Sequence, residues 1–172
     1  MNRRPAGGAR IVVLGVGNLL ASDEGVGPHF IARLERRWEL PAAVRAIDGG
    51  TSAMDLLDDL SHLDLLLIVD AVAGDARPGT VHVLEGDRIP EFFTLKLSPH
   101  QVGLSDVLAT LRWNGESPRE IVIVGVEPAS FDLSMDLSPA VEEALSTVEG
   151  LVLARLERAG CPLARRGLAE PA

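Results

Sequence analysis

The sequence predicts an α/β protein, a three-layer α/β/α sandwich around a mostly parallel, mixed five-stranded sheet. Residues 14–27 join the end of an apolar strand to an amphipathic helix through a glycine-rich turn. Residues 64–72 form an apolar run without polar alternation, which is typical of a central strand covered on both faces. Further along the chain, apolar runs of strand length alternate with helical patterns, as in a sheet built from crossover units.

The first half of the chain contains three predicted strands and two predicted helices. Residues 10–16 form the first strand, and Pro41 is expected to close the helix that follows. That helix has an apolar stripe at four-residue steps: Val26, Phe30, Leu34 and Trp38. Residues 44–47 form a short second strand that ends in a turn over residues 48–51. A short helix then precedes the third strand, with apolar positions at Met54, Leu57 and Leu60.

The second half contains two predicted strands and two predicted helices. After the turn signal Pro78-Gly79, residues 80–84 form a short strand whose alternation is compatible with an antiparallel edge position. Residues 120–126 form another buried strand. Each helix begins with serine as the N-cap and proline at the first helical position, at Ser98-Pro99 and at Ser138-Pro139. The last helix is long and amphipathic, with apolar positions at Val141, Leu145, Val148, Val152 and Leu156.

The chain length of 172 residues suits one domain with a full core and is too short for two. We predict a flexible arm over residues 1–9, a single α/β domain over residues 10–159 and a flexible tail over residues 160–172. No apolar run reaches the length of a membrane span, and the basic N-terminal residues are not followed by the apolar region of a signal peptide. We therefore expect no association with a membrane.

The net charge and the cysteine content limit the kinds of partner and the cellular compartment that are expected for the protein. The formal net charge is −9, which argues against nucleic acid as a partner because nucleic acid is bound by basic surfaces. A small molecule, a metal ion or a protein remains compatible with this charge. Cys161 is the single cysteine, so no disulfide can form within the chain and the cytoplasm is the expected compartment.

Carboxylates follow each of the first three predicted strands. Asp23 and Glu24 follow the first, Asp48 ends the second and Asp70 ends the third. Ligands bind outside the carboxyl ends of strands in such a sheet, and a long loop can bring His100 to the same edge. Clustered carboxylates repel one another and need a cation or shared protons. Oxygen ligands with an imidazole suit a first-row divalent ion, so the sequence predicts a metal site at this edge.

Each of these residues also has a structural interpretation. Asp23 can cap a helix or occupy its first turn, Asp48 can form a turn, and His100 can be satisfied by backbone in the first turn of its helix. Asp70 favours a functional role, because an unpaired charge at the end of a buried strand is costly. The other histidines are interpreted as structural: His29, His62 and His82.

Familiar nucleotide and hydrolase motifs are incomplete or absent. Gly15-x-Gly17 after a strand resembles the dinucleotide fingerprint, but Leu20 occupies its third glycine position. Asp48 matches the ribose-binding acid of that fingerprint, so a dinucleotide-dependent oxidoreductase remains as a further hypothesis. The sequence has no Walker A loop, no His-Glu-x-x-His helix and no Gly-x-Ser-x-Gly elbow. A standard zinc protease or serine hydrolase is therefore not expected.

Seven ordered segments resemble the nickel-iron hydrogenase maturation endopeptidases, over nearly all of residues 10–158. The likeness is strongest to the branch that serves uptake-type hydrogenases. The segments are Gly15-Val-Gly-Asn-Leu-Leu-Ala-Ser-Asp-Glu-Gly-Val-Gly27, Asp48-Gly-Gly-Thr51, Val69-Asp-Ala71, Pro78-Gly-Thr80, Ser98-Pro-His-Gln-Val-Gly-Leu104, Gly125-Val-Glu-Pro128 and Leu137-Ser-Pro139. The arm before residue 10 and the tail around Arg165-Arg166 fall outside these segments.

The resemblance implies a metal-binding trio of Glu24, Asp70 and His100, with Asp48 as a further site residue. On this basis we predict Asp48, Glu24 and Asp70 as catalytic residues. We predict four substrate-binding residues: Gly49, Gly50, Thr51 and Gln101. No residue is predicted to bind an organic cofactor.

The resemblance also implies the substrate and the metal. The substrate is a nickel-loaded large-subunit precursor that loses a short C-terminal extension just beyond its last Cys-x-x-Cys motif. The nickel is expected to be the substrate's own, and zinc or cadmium can occupy the same site. We expect the protein to act as a monomer.

Two mechanisms and one non-enzymatic function remain open. A metal can polarise the scissile carbonyl or activate a water, with Asp48 as general base if burial raises its pKa. Alternatively, the metal only reports that the precursor is loaded, and acids perform the hydrolysis in the manner of a carboxyl protease. The non-enzymatic alternative is a nickel-sensing or chaperone module that binds the precursor's C-terminus.

Overall fold

A computed structural model of the chain describes residues 10–51, 53–90 and 99–167, without the side chains of residues 53, 54 and 99–102. A five-stranded sheet has the order β3-β1-β4-β6-β5. The strands are β1 (Ile11–Val16), β2 (Trp38–Glu39), β3 (Val44–Gly50), β4 (Leu65–Ala71), β5 (Val81–Glu85), β6 (Ile121–Val126) and β7 (Ala164–Arg165). The α-helices with described bounds are α1 (Val26–Arg37), α2 (Pro99–Asn114) and α3 (Pro139–Arg158).

Strand pairing confirms the predicted mixed sheet. β1 runs parallel to both β3 and β4, and β4 runs parallel to β6. β5 is antiparallel to β6 and occupies the edge, as its alternating sequence allowed. Every residue of β1 and of β4 is buried, in agreement with two central strands covered on both faces.

Two apolar clusters lie on opposite faces of the sheet and make the three layers. One cluster joins alternate residues of β1 and β4 to α1 and α3, through side chains such as Phe30 and Val148. The other joins the remaining alternate residues to α2 and to the segment around Leu60. Since successive strand residues point to opposite faces, a non-alternating strand supplies both clusters at once.

The connections differ from the prediction in three places. β3 continues to Gly50, three residues past the predicted end, because Val16 pairs with Gly50 across a register shift. The predicted short helix is a 3-10 helix over Ala53–Leu56, which ends before Leu57 and Leu60. Helix α1 ends at Arg37, and Trp38 is already extended in β2, so Pro41 does not terminate the helix.

The described part of the C-terminal tail departs from the flexible segment predicted from residue 160. Ala164–Arg165 forms β7, which pairs antiparallel with β2. The Arg165 guanidinium lies 5.3 Å from the centroid of the Trp38 ring, and Arg166 Nε donates a hydrogen bond to the Trp38 carbonyl at 3.0 Å. These contacts fix the tail against the end of α1. The predicted arm over residues 1–9 lies outside the described residues.

No helix among the described residues is long and apolar enough to cross a lipid bilayer.

Candidate active site

The order of the strands places a crevice between β1 and β4. From β1 the chain continues to β3 on one side, whereas from β4 it continues toward β6 and β5 on the other. Parallel sheets bind ligands at such a point, outside the carboxyl ends of the two diverging strands. The residues that follow β1 and those that end β4 are therefore the first place to look for chemistry.

Asp70 is the penultimate residue of β4 and is completely buried. Its register partner in β6 is Gly125, and one of its carboxylate oxygens accepts a hydrogen bond from Ala71 N at 2.7 Å. A carboxylate at a strand end inside the fold requires partners for its charge. The functional role of Asp70 stays a prediction.

Glu24 lies in a 3-10 helix, Ser22–Gly25, that follows β1 and contacts β4. Its side chain is partly exposed, and its backbone N–H donates to the Ala21 carbonyl at 3.1 Å. The turn before it requires glycine: Gly17 has φ +139°, and a Cβ at that position would collide with the Glu24 carbonyl. The tight turn therefore keeps the 3-10 helix that contains Glu24 in contact with β4, the strand that ends at Ala71.

Asp23 has a structural role that separates it from its neighbour. Its carboxylate is fully buried and accepts hydrogen bonds from three backbone N–H groups, those of Ala129 (2.7 Å), Ser130 (3.1 Å) and Ser138 (2.7 Å). It does not cap the helix that follows it, since the N-cap of α1 is Gly25 without a side-chain bond. Asp23 instead fastens the loop after β6 to the loop after β1.

Asp48 is exposed and lies on the far side of β1 from Asp70. Asp48 of β3 pairs with Gly15 of β1. On the other side of β1, Gly15 pairs with Val69 of β4, the residue before Asp70. Two strand spacings of about 4.8 Å thus separate their backbones. The Asp48 carboxylate accepts from Gly50 N at 2.9 Å, the turn-forming bond of its structural interpretation. The burial on which its role as general base depended is not observed.

Three of the four predicted substrate-binding residues lie at the end of β3 and directly after it: Gly49, Gly50 and Thr51. Gly49 is buried, and a Cβ there would press on Leu14 and Leu56, so packing explains this glycine. Gly50 has φ +47°, and Thr51 is exposed. Gly50 O accepts a hydrogen bond from Gly17 N at 3.0 Å, which ties the ends of β3 and β1 together.

His100 and Gln101 lie in the first turn of α2, and their side chains lie outside the described residues. The loop after α2 is at the amino edge of β4, since His62 N donates to the Glu116 carbonyl and Arg119 N to the Leu63 carbonyl. A helix of 16 residues spans about 24 Å. The first turn of α2 therefore lies toward the carboxyl edge, the edge that Glu24 and Asp70 occupy.

The structure thus places Glu24 after β1 and Asp70 near the end of β4, the two strands that border the crevice. The carboxylates of Asp23 and Asp48 accept hydrogen bonds from backbone N–H groups of loops and turns. Within the described part of the chain, no three histidine, cysteine or acidic side chains are grouped closely enough to hold a metal ion. The predicted trio includes His100, whose side chain is outside that part. Two carboxylates and one imidazole are a donor set that suits first-row divalent ions.

A further buried carboxylate, Glu127, has no predicted role. It follows β6, is 3% exposed, and accepts a hydrogen bond from Gly74 N at 2.8 Å. Its other carboxylate oxygen lies 3.1 Å from His82 Nε2. Glu127 therefore ties the loop after β4, which begins just beyond Asp70, to the end of β6. The sequence signal that could have identified Glu127 is its position as an acidic residue directly after a buried strand.

The glycines that resemble a dinucleotide fingerprint are explained by contacts inside the fold. A Cβ at Gly15 would collide with the Gly27 carbonyl and approach Ile31 within 2.7 Å. Gly15 and Gly17 are thus required for the close packing of β1 against the turn and α1, without any bound phosphate. The structural basis of the oxidoreductase hypothesis is therefore absent at these positions.

Comparisons with known proteins point to one protein family. Residues 28–155 match the family model HycI, described as hydrogenase maturation protease. The chain is 44% identical over 152 residues to the hydrogenase 2 maturation protease of Escherichia coli K12, a match that covers 88% of this chain and 93% of that protein. It is 39% identical over 163 residues to the hydrogenase expression/formation protein HupM of Azotobacter chroococcum mcd 1, covering 93% and 78% of the two chains.

Solved structures give the same result. The hydrogenase maturating endopeptidase HybD of Escherichia coli superposes with a TM-score of 0.88 at 43% identity, covering 91% of this chain and 98% of that one. The NiFe hydrogenase maturation protease HybD of Thermococcus kodakarensis superposes with a TM-score of 0.66 at 26% identity, covering 83% and 98%.

Proposed function

The chain belongs to the hydrogenase maturation protease family, and we propose that it removes the C-terminal extension of a nickel-iron hydrogenase large-subunit precursor after nickel insertion. The chain is a hydrolase of the endopeptidase class. The observation that carries the proposal is the 44% identity to a hydrogenase 2 maturation protease over nearly the full length of both chains. An α/β sandwich with its carboxylates at the switch point between β1 and β4 supports the same function.

We propose that the enzyme recognises the nickel of its substrate through Glu24, Asp70 and His100. Glu24 and Asp70 follow or end two adjacent strands, and the first turn of α2 lies toward the same edge. Carboxylate oxygens and an imidazole nitrogen suit a divalent first-row ion, and zinc or cadmium would fit the same donors. In this proposal the metal arrives with the precursor as part of the substrate.

The reaction is hydrolysis of one peptide bond. Water adds its hydroxyl to the scissile carbonyl carbon, the C–N bond breaks, and the new amine takes a proton. An oriented carboxylate can accept the proton of the attacking water and return it to the leaving nitrogen. Buried Asp70 and partly exposed Glu24 are the acids at the crevice, whereas Asp48 lies across β1 and is exposed. The geometry therefore favours Glu24 and Asp70 over Asp48 for this proton transfer.

Several finer assignments belong to the same proposal. The precursor chain would run past Gly50, Thr51 and Gln101, which lie at or toward the carboxyl edge. We propose that the enzyme works as a monomer in the cytoplasm, a compartment compatible with the single free cysteine, Cys161. Sedimentation of the purified protein would test the monomeric state.

The experiment is an intact-mass measurement on the large-subunit precursor before and after incubation with the enzyme. One sample contains nickel-loaded precursor, and the matched control contains nickel-free precursor. Loss of a C-terminal peptide from the loaded sample alone is the expected result, and its mass locates the cut. Cleavage of both samples would contradict the proposal that the enzyme recognises the nickel of its substrate. Binding of loaded precursor without loss of mass would favour the nickel-sensing chaperone module instead.

A further inference from the structure

Five large apolar side chains are exposed on two loops that backbone hydrogen bonds join, the loops after β1 and β6. We call this surface the apolar rim: Leu19, Leu20, Phe131, Leu133 and Met135. Their exposed fractions are 37%, 54%, 52%, 90% and 63% in that order. Contiguous exposed apolar surface on a folded domain is a mark of an interaction site.

Backbone hydrogen bonds hold the two loops of the apolar rim together. Ala21 and Ser134 form an isolated parallel bridge, in which Ser22 N donates to the Ser134 carbonyl at 2.8 Å and Ser134 N donates to the Leu20 carbonyl at 3.1 Å. The buried Asp23 carboxylate adds its bonds to Ala129, Ser130 and Ser138 just beside them. The loops are therefore fixed before any partner arrives, so binding there costs little ordering entropy.

The remaining exposed large apolar side chains of the described residues stand alone. Trp113 is at the end of α2, and Leu151 is on the outer face of α3. Single exposed apolar residues are normal on protein surfaces. The apolar rim differs from them because its residues come from two loops that the fold ties together at the candidate active site.

We propose that the apolar rim is the docking surface for the precursor, and that it receives apolar side chains of the precursor segment next to the scissile bond. This inference rests on the proposed function. Leu20 precedes Glu24 by four residues, so their backbones are at most about 14 Å apart. An extended segment whose scissile bond lies at the crevice can therefore reach the apolar rim within a few residues of the cut.

The charged residues near the apolar rim indicate which residues are expected to flank the apolar side chains of the precursor segment. Asp132 and Asp136 are exposed within the same loop as Phe131, Leu133 and Met135, and Glu24 borders the other side. The chain as a whole carries a net charge of −9. An apolar centre with an acidic border is complementary to apolar residues flanked by lysine or arginine.

The test measures precursor cleavage over a range of enzyme concentrations with precursor limiting, using intact mass as the readout. The variants are Leu133→Asp and Leu20→Ser, and the matched control is Trp113→Ser, an exposed apolar residue outside the apolar rim. Leu133 is 90% exposed, so its replacement should leave the melting temperature unchanged. A circular dichroism melt verifies the fold of each variant.

We expect each rim variant to raise the enzyme concentration for half-maximal rate at least tenfold, with most of the saturating rate retained. Trp113→Ser should behave as wild type, and added salt should weaken wild-type docking. Half-maximal concentrations equal to wild type in both rim variants would overturn the inference. Failure of the wild-type enzyme to cleave would instead overturn the proposed function. A wild-type dimer that Leu133→Asp separates, with cleavage unaffected, would show that the rim binds a second copy and would also overturn the inference.

Discussion

Two adjacent acids, Asp23 and Glu24, have different roles because their surroundings differ. Asp23 is buried and receives three backbone N–H groups from a loop more than 100 residues later, so it holds the architecture of the site. Glu24 is partly exposed at the crevice and adjoins the end of β4. At the residue scale, the Asp23 carboxylate holds two loops together, whereas a role of Glu24 in the chemistry is part of the proposed function.

Replacing Asp23 with alanine should destabilise the fold strongly. The change leaves three backbone donors without their acceptor, and an unsatisfied buried group costs about 1–3 kcal/mol. We expect a loss of roughly 3 kcal/mol or more in the free energy of unfolding, measured by urea denaturation. Asp75→Ala, on an exposed loop, is the control and should change stability by less than about 0.5 kcal/mol. Equal effects of the two changes would contradict the structural role of Asp23.

Metal binding should depend on the predicted trio and not on Asp48. Calorimetric titration with Zn²⁺ should show that Glu24→Gln, Asp70→Asn and His100→Ala each weaken binding at least tenfold, about 1.4 kcal/mol. Asp48→Asn should leave binding unchanged, since its carboxylate lies across β1 and bonds its own turn. The assignment would be wrong if Asp48→Asn weakened binding as much as the trio variants do.

At the element scale, the turn from β1 to α1 determines where the site lies. The glycines of this turn allow the backbones of α1 and β1 to come into contact. Gly27 also has no room for a side chain, because a Cβ there would lie 2.5 Å from the Val69 carbonyl oxygen of β4. The 3-10 helix that contains Glu24 lies between β1 and α1 in the chain and contacts β4. The sequence pattern predicted the strand, turn and helix, but the 3-10 segment between them has no periodic signal.

Gly15→Ala should destabilise the protein because the new methyl group meets backbone. The Gly27 carbonyl cannot move without shifting the start of α1, so the cost should be at least about 3 kcal/mol. Gly150→Ala is the matched control: it lies in the exposed interior of α3 with open space around it, and alanine is the better helix former by about 1 kcal/mol. Thermal melts should therefore shift in opposite directions, and a stabilising Gly15→Ala would contradict the packing described for this turn.

At the scale of the whole molecule, periodicity and chain order were sufficient to predict the layers. The non-alternating run over residues 64–72 identified β4 as central, and the alternation of residues 80–84 identified an edge that is indeed antiparallel. The same reasoning brought Asp70 and Glu24 to one edge, as the strand order confirms. These features follow from local patterns and from the geometry of parallel sheets.

Contacts between distant segments could not be predicted in this way. The acceptor role of Asp23 depends on a loop that folds back from residues 129–138, and the sequence gives no sign of that pairing. Glu127 with His82, and the tail strand β7 beside Trp38, are likewise set by tertiary packing. Asp48 illustrates a local signal: its Asp-Gly-Gly turn was predicted correctly, whereas its exposure does not support the condition of burial set for its role as general base.

The central claim is that the enzyme cleaves a hydrogenase precursor at the crevice of Glu24 and Asp70. The most direct test is the intact mass of nickel-loaded precursor after incubation with wild-type enzyme and with a Glu24→Gln variant whose melting temperature matches it. We expect the precursor to lose a C-terminal peptide with the wild type and to keep its full mass with the variant. Loss of the peptide at the wild-type rate with Glu24→Gln, or no loss with the wild type, would contradict it.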